Sequence, residues 1–466
     1  KLIYIFDDNN ISIDGNVEKV SVTDQSAKFQ SLGWHVQEID GHDENQIINA
    51  VKHAQDNTSK PSLIIAKSTI GKHSPNKQNT SGVHGSPLGS DEMEQFLENL
   101  GWTGDVFDHS REIYDYFNEK RDMDNGKHDE WVSLLEEKIK TNDDFANLWN
   151  EFNYKKIEFS HSQEYDRKAT RVTGSEVLKS IGESNRFILG GSADLAASTK
   201  QIISNSIYSH QNRSGQSIEF GIREHAMAAV VNGITLHSNL IGYGSTFLVF
   251  SDYMRPSIRL ASLMNLNSVY IFTHDSIYLG EDGPTHQPVE HLMSLRLIPG
   301  VDVIRPANSI EVQYAYQYIF TKSNNPKSLV LTRQSLDYVE TKLSYKNFQE
   351  GAYELINGDD ITIFASGSEV NLAIEVSKKL KKKSVQVIST PILNQVNTDT
   401  LTNLKINEFV FTLELGRSIG WQDYIGKVTE SFSIETFGKS APLEDLTNYF
   451  EFSAEKIAEK ILKYIS

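Results

Sequence analysis

Residues 274–288 read H-D-S-I-Y-L-G-E-D-G-P-T-H-Q-P, and one residue separates them from the apolar run Ser268-Val269-Tyr270-Ile271-Phe272. A short apolar run of that kind, broken by Gly280, Gly283 and Pro284, reads as a buried strand that ends in an irregular loop. Open α/β sheets hold their ligands at the C-terminal ends of their strands. Two imidazoles, His274 and His286, flank the acidic pair Glu281-Asp282 in this loop. A lone histidine is most often a satisfied structural group. Two of them around a glycine-rich acidic loop at a strand end read as a site.

The same alternation extends on both sides. Strands are expected at 187–189, 268–272, 301–304 and 328–331, with helices near 171–183, 222–237, 249–264 and 309–322. That order describes a parallel sheet with crossover helices. A further unit begins near 361, with strands at 361–364, 385–389 and 408–413, a helix at 370–382 and a last amphipathic helix at 454–465. The lysine run 379–383 complements a helix C-terminus and reads as a solvated helix end. Toward the N-terminus, Leu2-Ile3-Tyr4-Ile5-Phe6 reads as a buried strand, and Asp7-Asp8-Asn9-Asn10 has turn chemistry. A helix at 23–32, capped by Ser21 or Thr23, precedes a strand at 34–39, a helix at 43–55 and a strand at 62–67. Residues 71–90 form a long loop of the kind that is more often functional than idle. Residues 91–155 are helical and acidic and end in a connecting segment. The whole is three successive α/β domains with mostly parallel sheets. Buried parallel strands lie inside a sheet, and no methionine opens the chain. The expectation is that an N-terminal portion of the parent is missing, or that the chain is a naturally split subunit.

Composition narrows the chemistry. The chain has 466 residues, a formal net charge of −17 and no cysteine. Disulfides, zinc–thiolate sites, iron–sulfur clusters and thiol nucleophiles are excluded. The acidic balance argues against a nucleic-acid or anionic-membrane surface. No stretch reaches the ~18 consecutive apolar residues of a membrane span, and no signal peptide opens the sequence, so a cytoplasmic location is expected. An anionic substrate needs a local basic pocket that works against the overall field.

Two further segments carry chemistry. In E-F-G-I-R-E-H-A-M-A, residues 219–228, Glu224 opens an apolar helix. It either complements the helix dipole and pairs with Arg223, or is a buried acid that shares a proton with a ligand. In Gly242-Tyr243-Gly244-Ser245-Thr246-Phe247, a glycine-rich turn is expected to start an aromatic stripe of Phe247, Phe250 and Tyr253. Such a stripe is usually core, but beginning at a turn it can stack on a ring.

These three segments resemble transketolase, a thiamine-diphosphate enzyme of the pentose phosphate pathway, along nearly the whole chain. The resemblance implies a diphosphate-binding portion at 1–130 with its first part incomplete, a linker at 131–164, a pyrimidine-binding domain at 165–340 and a C-terminal domain at 345–466. It implies a homodimer with the active site between subunits, and a transferase that moves a two-carbon ketol unit from a ketose phosphate such as xylulose 5-phosphate to an aldose phosphate such as ribose 5-phosphate or erythrose 4-phosphate, through a carbanion on the cofactor. Asn9 matches the family's metal-ligand asparagine, and Ile11 the residue that offers its carbonyl to magnesium or calcium. The family's third ligand, an aspartate of a Gly-Asp-Gly motif, falls upstream of this chain. Glu224 matches the glutamate that activates the aminopyrimidine, Phe250 the aromatic stacked on that ring, and Phe247 and Tyr253 its neighbours. Ile70 and Asp194 fall on the cofactor side. His84 and His286 match groups that transfer protons and bind hydroxyls, and Asp282 a hydroxyl acceptor. Arg171, Ser198, His274 and Arg333 match the phosphate-binding set.

Lys72-His73 and Tyr278 depart from the family pattern without replacing a catalytic group. Deoxyxylulose-phosphate synthase lacks the His-Asp pair that begins at His274, whereas dihydroxyacetone synthase shares more of the motifs. A different class of reading is a non-catalytic fragment or a subunit that needs an N-terminal partner.

Overall fold

In the computed structural model, the chain is described throughout except at residues 1, 106, 155–156, 160–166, 322, 338, 340, 342 and 466. It divides into two compact units, Lys1–Leu135 and Glu136–Ser466. Parts of the linker expected at 131–164, and both ends of the segment expected at 165–340, lie outside the described residues. Much of the rest of that linker is helical, in Arg111–Thr141 and Asp143–Tyr154.

In the first unit, β1 (Ile3–Asp8), β2 (His35–Asp40) and β3 (Ser62–Lys67) form a parallel sheet in the order β1-β3-β2. Alternation with α1 (Gln25–Ser31) and α2 (Glu44–Asp56) produces it. Asp43 caps α2 by accepting from the backbone N–H groups of Asn45 and Gln46. The cap of α1 is Asp24, not Ser21 or Thr23. Only β3 carries the buried face. β1 was expected to be buried, yet Ile3, Tyr4, Ile5 and Phe6 are exposed: α1 and α2 pack against β2 and β3, which leaves the side chains of this edge strand uncovered.

Among the described residues, the second unit holds two large sheets and a short antiparallel pairing of Lys168–Ala169 with Ser335–Leu336. The first comprises β4 (Ile188–Ser192), β5 (Ser217–Glu219), β6 (Ile241–Phe247), β7 (Val269–Thr273), β8 (Asp302–Ile304) and β9 (Lys327–Leu331), in the order β8-β9-β7-β6-β4-β5 and all parallel. Its helices include α3 (Thr170–Ser184), α4 (Glu224–His237), α5 (Ser251–Leu263) and α6 (Ser309–Phe320). β7 lies inside this sheet and is buried along its whole length, as its continuous apolar run predicts. The segment 242–247 was expected to be a turn and is instead the body of β6. Its glycines serve packing. A Cβ on Gly244 would fall 2.9 Å from Met227 Cγ, and one on Gly242 would fall 2.8 Å from the Val231 carbonyl. Helix α4 thus lies directly on a strand with no side chains at those positions.

The second sheet contains β10 (Tyr353–Ile356), β11 (Ile361–Ala365), β12 (Val385–Ser389), β13 (Phe409–Leu413) and β14 (Glu430–Phe432), in the order β10-β12-β11-β13-β14. Only β10 runs antiparallel. α7 (Glu369–Lys379) and α8 (Ala454–Ile465) cover one core built on Ile363, Val387 and Phe411.

Candidate functional site

The parallel register sets Thr273, the last residue of β7, beside Phe247, the last residue of β6. His274 follows with φ +59° and is only 3 % exposed. A left-handed non-glycine residue is held there by its surroundings. Its Nδ1 lies 2.8 Å from Thr273 Oγ1 and its Nε2 3.3 Å from Arg171 Nη1. The Phe247 ring stacks on the His274 imidazole with centroids 3.7 Å apart. Phe247, Phe250 and Tyr253 follow one another at 6.0 Å in near-parallel stacks. The three residues do not share one helix: Phe247 ends a strand, Phe250 ends a 3₁₀ turn and Tyr253 lies in the first turn of α5. His286 meets Phe250 edge to face at 5.6 Å. Tyr253, at the end of the array, is 62 % exposed. Two histidines and three aromatics distant in sequence thus form one continuous surface.

Beside this array is a cationic cluster. Arg171, in the first turn of α3, donates from Nη1 to the Ser198 carbonyl at 2.5 Å. Its Nε is buried with no hydrogen-bond partner among the described residues. Arg333 follows β9 by two residues and is exposed. The burial of Arg171 itself, and then the charge of Arg333, depress the Arg171 pKa. Burial, then the charges of Arg171, Arg333 and His286, hold the His274 imidazole down at about 3. Cations crowded together with an unsatisfied N–H suit an anion with several acceptor oxygens. The two chain segments are latched by residues that sequence reasoning missed: the Thr332 N–H donates to Thr170 Oγ1 at 2.7 Å, and the Thr170 N–H donates to Thr332 Oγ1 at 3.0 Å. Threonines beside the two arginines were the available signal.

Glu224 is the first residue of α4. It is half-buried, not the buried acid that one reading of the sequence suggests. Its neighbour His225 faces Ser257 of α5, with Nδ1 3.4 Å from the hydroxyl. Asp194 is exposed with φ +58°, Ser198 is half-buried, and Asp282 is exposed at the loop tip. Among the described residues, Glu224, Asp194 and Asp282 make no hydrogen bond to a member of the array.

The first unit carries the other expected residues. Asn9 Oδ1 accepts from the Ile11 N–H at 3.0 Å, with Asn10 between them at φ +58°. This tight turn fixes the Asn9 amide oxygen against the Ile11 N–H, and amide and carbonyl oxygens are the ligand type that a hard divalent cation takes. Ile70 lines a cavity of about 490 Å³ with Asp7, Gly41, His42 and Ser68. His84 is exposed on the loop and lies outside that lining. The long loop is anchored by Glu92, whose carboxylate accepts from Ser74 Oγ, from the Asn76 N–H at 2.8 Å and from Asn76 Nδ2 at 3.0 Å. Glu92 was not singled out from sequence.

A transketolase from Staphylococcus aureus (strain MRSA252) is 37 % identical to this chain over 493 aligned positions, which cover 99 % of this chain and 73 % of that protein. The chain belongs to the transketolase family. The Bacillus subtilis (strain 168) transketolase is 36 % identical, over 100 % of this chain and 73 % of that one. Family profiles described as "Transketolase, thiamine diphosphate binding domain", "Transketolase, pyrimidine binding domain" and "Transketolase-like TK C-terminal domain" match residues 1–155, 166–338 and 351–453. The transketolase of Leishmania mexicana superposes with a TM-score of 0.92 at 30 % identity, covering 100 % of this chain and 71 % of that one. A Pichia stipitis transketolase in complex with sedoheptulose-7-phosphate superposes with a TM-score of 0.92 at 32 % identity, covering 100 % and 72 %.

As a transketolase-family transferase, the chain carries that family's thiamine-diphosphate-binding domain. Features of its own structure suit the cofactor and a phosphorylated ligand. The aromatic stack leaves an open ring at Tyr253, as a stacked heterocycle requires. The buried Arg171 Nε has no acceptor among the described residues, and the 9–11 turn holds the Asn9 amide oxygen in a fixed position. Among the described residues, no helix is long and apolar enough to cross a membrane.

Proposed function

We propose that this chain transfers a two-carbon ketol unit from a ketose phosphate such as xylulose 5-phosphate to an aldose phosphate such as ribose 5-phosphate or erythrose 4-phosphate. The observation that carries this reading is His274, which joins the aromatic array to the cationic cluster. A ring-stacking surface beside an anion site is what a cofactor heterocycle and a sugar phosphate jointly need.

Phe250, with Phe247 and Tyr253, would hold the aminopyrimidine. Glu224 would hold a proton at a pyrimidine ring nitrogen, and its half-exposed position leaves room for that ring. Asn9 and Ile11 would hold magnesium or calcium against the diphosphate, and Ile70 and Asp194 would flank the cofactor. Thiamine diphosphate, when bound, supplies the nucleophilic carbon and the electron sink. Arg171, Ser198, His274 and Arg333 would bind the substrate phosphate. The substrate's reacting end would then lie toward His286, which can give or take a proton at a sugar hydroxyl. Asp282 would accept a hydrogen bond from another hydroxyl, and His84 would contact both cofactor and substrate.

The working form would be a cytoplasmic homodimer with a site completed across the subunit interface. Asn9, Ile11, Ile70 and His84 of one copy would serve the array of the other. Supporting this, Ile222, Val230, Leu260, Leu263 and Met264, on or beside α4 and α5, are all exposed, and a subunit interface covers apolar side chains of this kind. The domain map that goes with this reading is 1–130, 165–340 and 345–466, joined by 131–164.

The test is two-carbon transfer from xylulose 5-phosphate to ribose 5-phosphate with thiamine diphosphate and magnesium. Glu224→Gln is expected to lower kcat by roughly 10²-fold or more, with melting temperature unchanged. Wild-type-like turnover in that variant would remove Glu224 from its role. No transfer by the folded wild-type chain would favour the subunit-needing-a-partner reading.

A further inference from the structure

We propose that Gln287 is a positioning residue that clamps the His274–His286 loop to the C-terminal domain and thereby sets His286 and Asp282 for reaction. This deepens the transketolase reading and rests on it.

Gln287 follows His286 directly and is 2 % exposed. A buried primary amide must satisfy two N–H donors and one carbonyl acceptor. Its Nε2 faces three backbone carbonyls: Ile277 at 3.1 Å, Gly280 at 2.8 Å and Lys439 at 2.7 Å. Two of these belong to the loop and the third to the C-terminal domain. The convergence fixes the amide orientation, because a flipped group would point its oxygen at three oxygens. The Gln287 Oε1 is buried without a hydrogen-bond partner among the described residues. It lies 1.8 Å from where a Cβ on Gly438 would be, so the side chain occupies the space that this glycine leaves.

Other ties run the same way. Ser440 Oγ donates to the Glu281 carbonyl at 2.5 Å, and Thr447 Oγ1 donates to Tyr278 Oη at 3.1 Å. At the loop's base, Arg305 holds Asp275 from Nε at 3.0 Å and Nη2 at 2.7 Å, and donates to the Ser366 carbonyl at 2.9 Å. Tyr278, which departs from the family pattern, is therefore part of the same anchorage. The base, middle and end of the loop are each fixed to the C-terminal domain, and the exposed Asp282 and the half-buried His286 stand between the ties. The N–H groups of both His286 and Gln287 donate to the Gly283 carbonyl, at 3.0 and 3.1 Å, so a displaced Gln287 carries His286 with it. Displacements near 1 Å cost up to ~10²-fold in rate when proton transfer depends on geometry.

Three variants test this in the full chain with cofactor: Gln287→Met, which keeps volume and loses the donors; Gln287→Glu, which sets a carboxylate against three carbonyls; and Gly438→Ala, which displaces the amide. Each should lower kcat by roughly tenfold or more. KM for the ketose phosphate should change by less than about threefold, because Arg171, Ser198 and Arg333 lie on other elements and His274, at the start of the loop, is held by Thr273, Arg171 and Phe247. The activity of Gln287→Glu relative to wild type should rise as pH falls, since a protonated carboxyl regains one donor. A merely structural role would not produce that pH-dependent ratio. Full kcat in Gln287→Met and Gln287→Glu, or losses that track melting temperature with a pH-flat ratio, would overturn the proposal. Inactive wild type would instead overturn the functional reading.

Discussion

Arg171 Nη1 lies 3.3 Å from His274 Nε2 while donating to the Ser198 carbonyl, so one guanidinium joins its residue to two others of the expected phosphate set and keeps a buried N–H without a partner among the described residues. Arg171→Ala should raise KM for a ketose phosphate by roughly 10²-fold, the scale of two charge-assisted hydrogen bonds. The same ketose without its phosphate should be used equally well by both proteins. Parallel losses on both substrates would place Arg171 elsewhere in the mechanism.

The His274 imidazole, held down at about 3 by burial and by the charges of Arg171, Arg333 and His286, stays neutral in the folded protein at neutral and mildly acidic pH. An unfolded histidine titrates near 6.5. Between those values the unfolded chain takes up a proton that the folded chain refuses, so stability falls as pH drops through that window. His274→Asn removes the titration and keeps a residue type that tolerates positive φ. Between pH 7 and pH 4 this variant should lose less stability than wild type, by on the order of 2 kcal/mol in urea unfolding. Equal losses would mean that His274 is protonated in the folded state.

The second unit was legible where chemistry and burial coincide. Val269-Tyr270-Ile271-Phe272 could only be an interior strand, and the polar loop after it had to lie at a sheet edge. Residues 242–247 misled for a physical reason. Gly242 and Gly244 look like turn residues, but Met227 and Val231 of α4 occupy the space of their missing Cβ atoms, a fact of tertiary packing. The apolar run at β1 gave the strand correctly and its burial wrongly, because side-chain periodicity does not say which strands lie alongside. The hydroxyl latch between Thr170 and Thr332 and the amide clamp of Gln287 join residues far apart in the chain, and no local pattern announces them.

Arg296 and Glu414 form a bidentate pair at 2.7 and 2.8 Å inside the second unit. Burial pushes the Glu414 carboxyl up, but the guanidinium groups of Arg296 and Arg305 and the Ser366 hydroxyl override it and hold it at about 2. Trp421 Nε1 also donates to this carboxylate, at 2.9 Å. Arg296→Met should cost about 3–5 kcal/mol in denaturant unfolding, since it strands a buried charge. Adding Glu414→Gln should recover much of that loss. A single variant as stable as wild type would show that water reaches the carboxylate.

Glu92 gives the long loop its shape, and therefore bears on His84. Hydrogen bonds from the Ser74 hydroxyl, the Asn76 amide and the Asn76 N–H hold its pKa down to about 2. A depressed carboxylate stabilises the fold above its unfolded value near 4.3, and that contribution is lost as pH falls toward 2. At neutral pH the anchor is fully present. Glu92→Gln keeps the size of the side chain but turns one acceptor oxygen into a donor facing donors. Amide exchange across 71–90 should then speed up by roughly tenfold or more, as for a local opening well below global unfolding. The melting temperature should hardly move, because the bonds lie on one loop rather than in a core. KM for the donor ketose should rise with the exchange rate if His84 works from an ordered loop. Unchanged exchange in the variant would show that Lys77, which donates to the Leu88 carbonyl at 2.6 Å, holds the loop by itself.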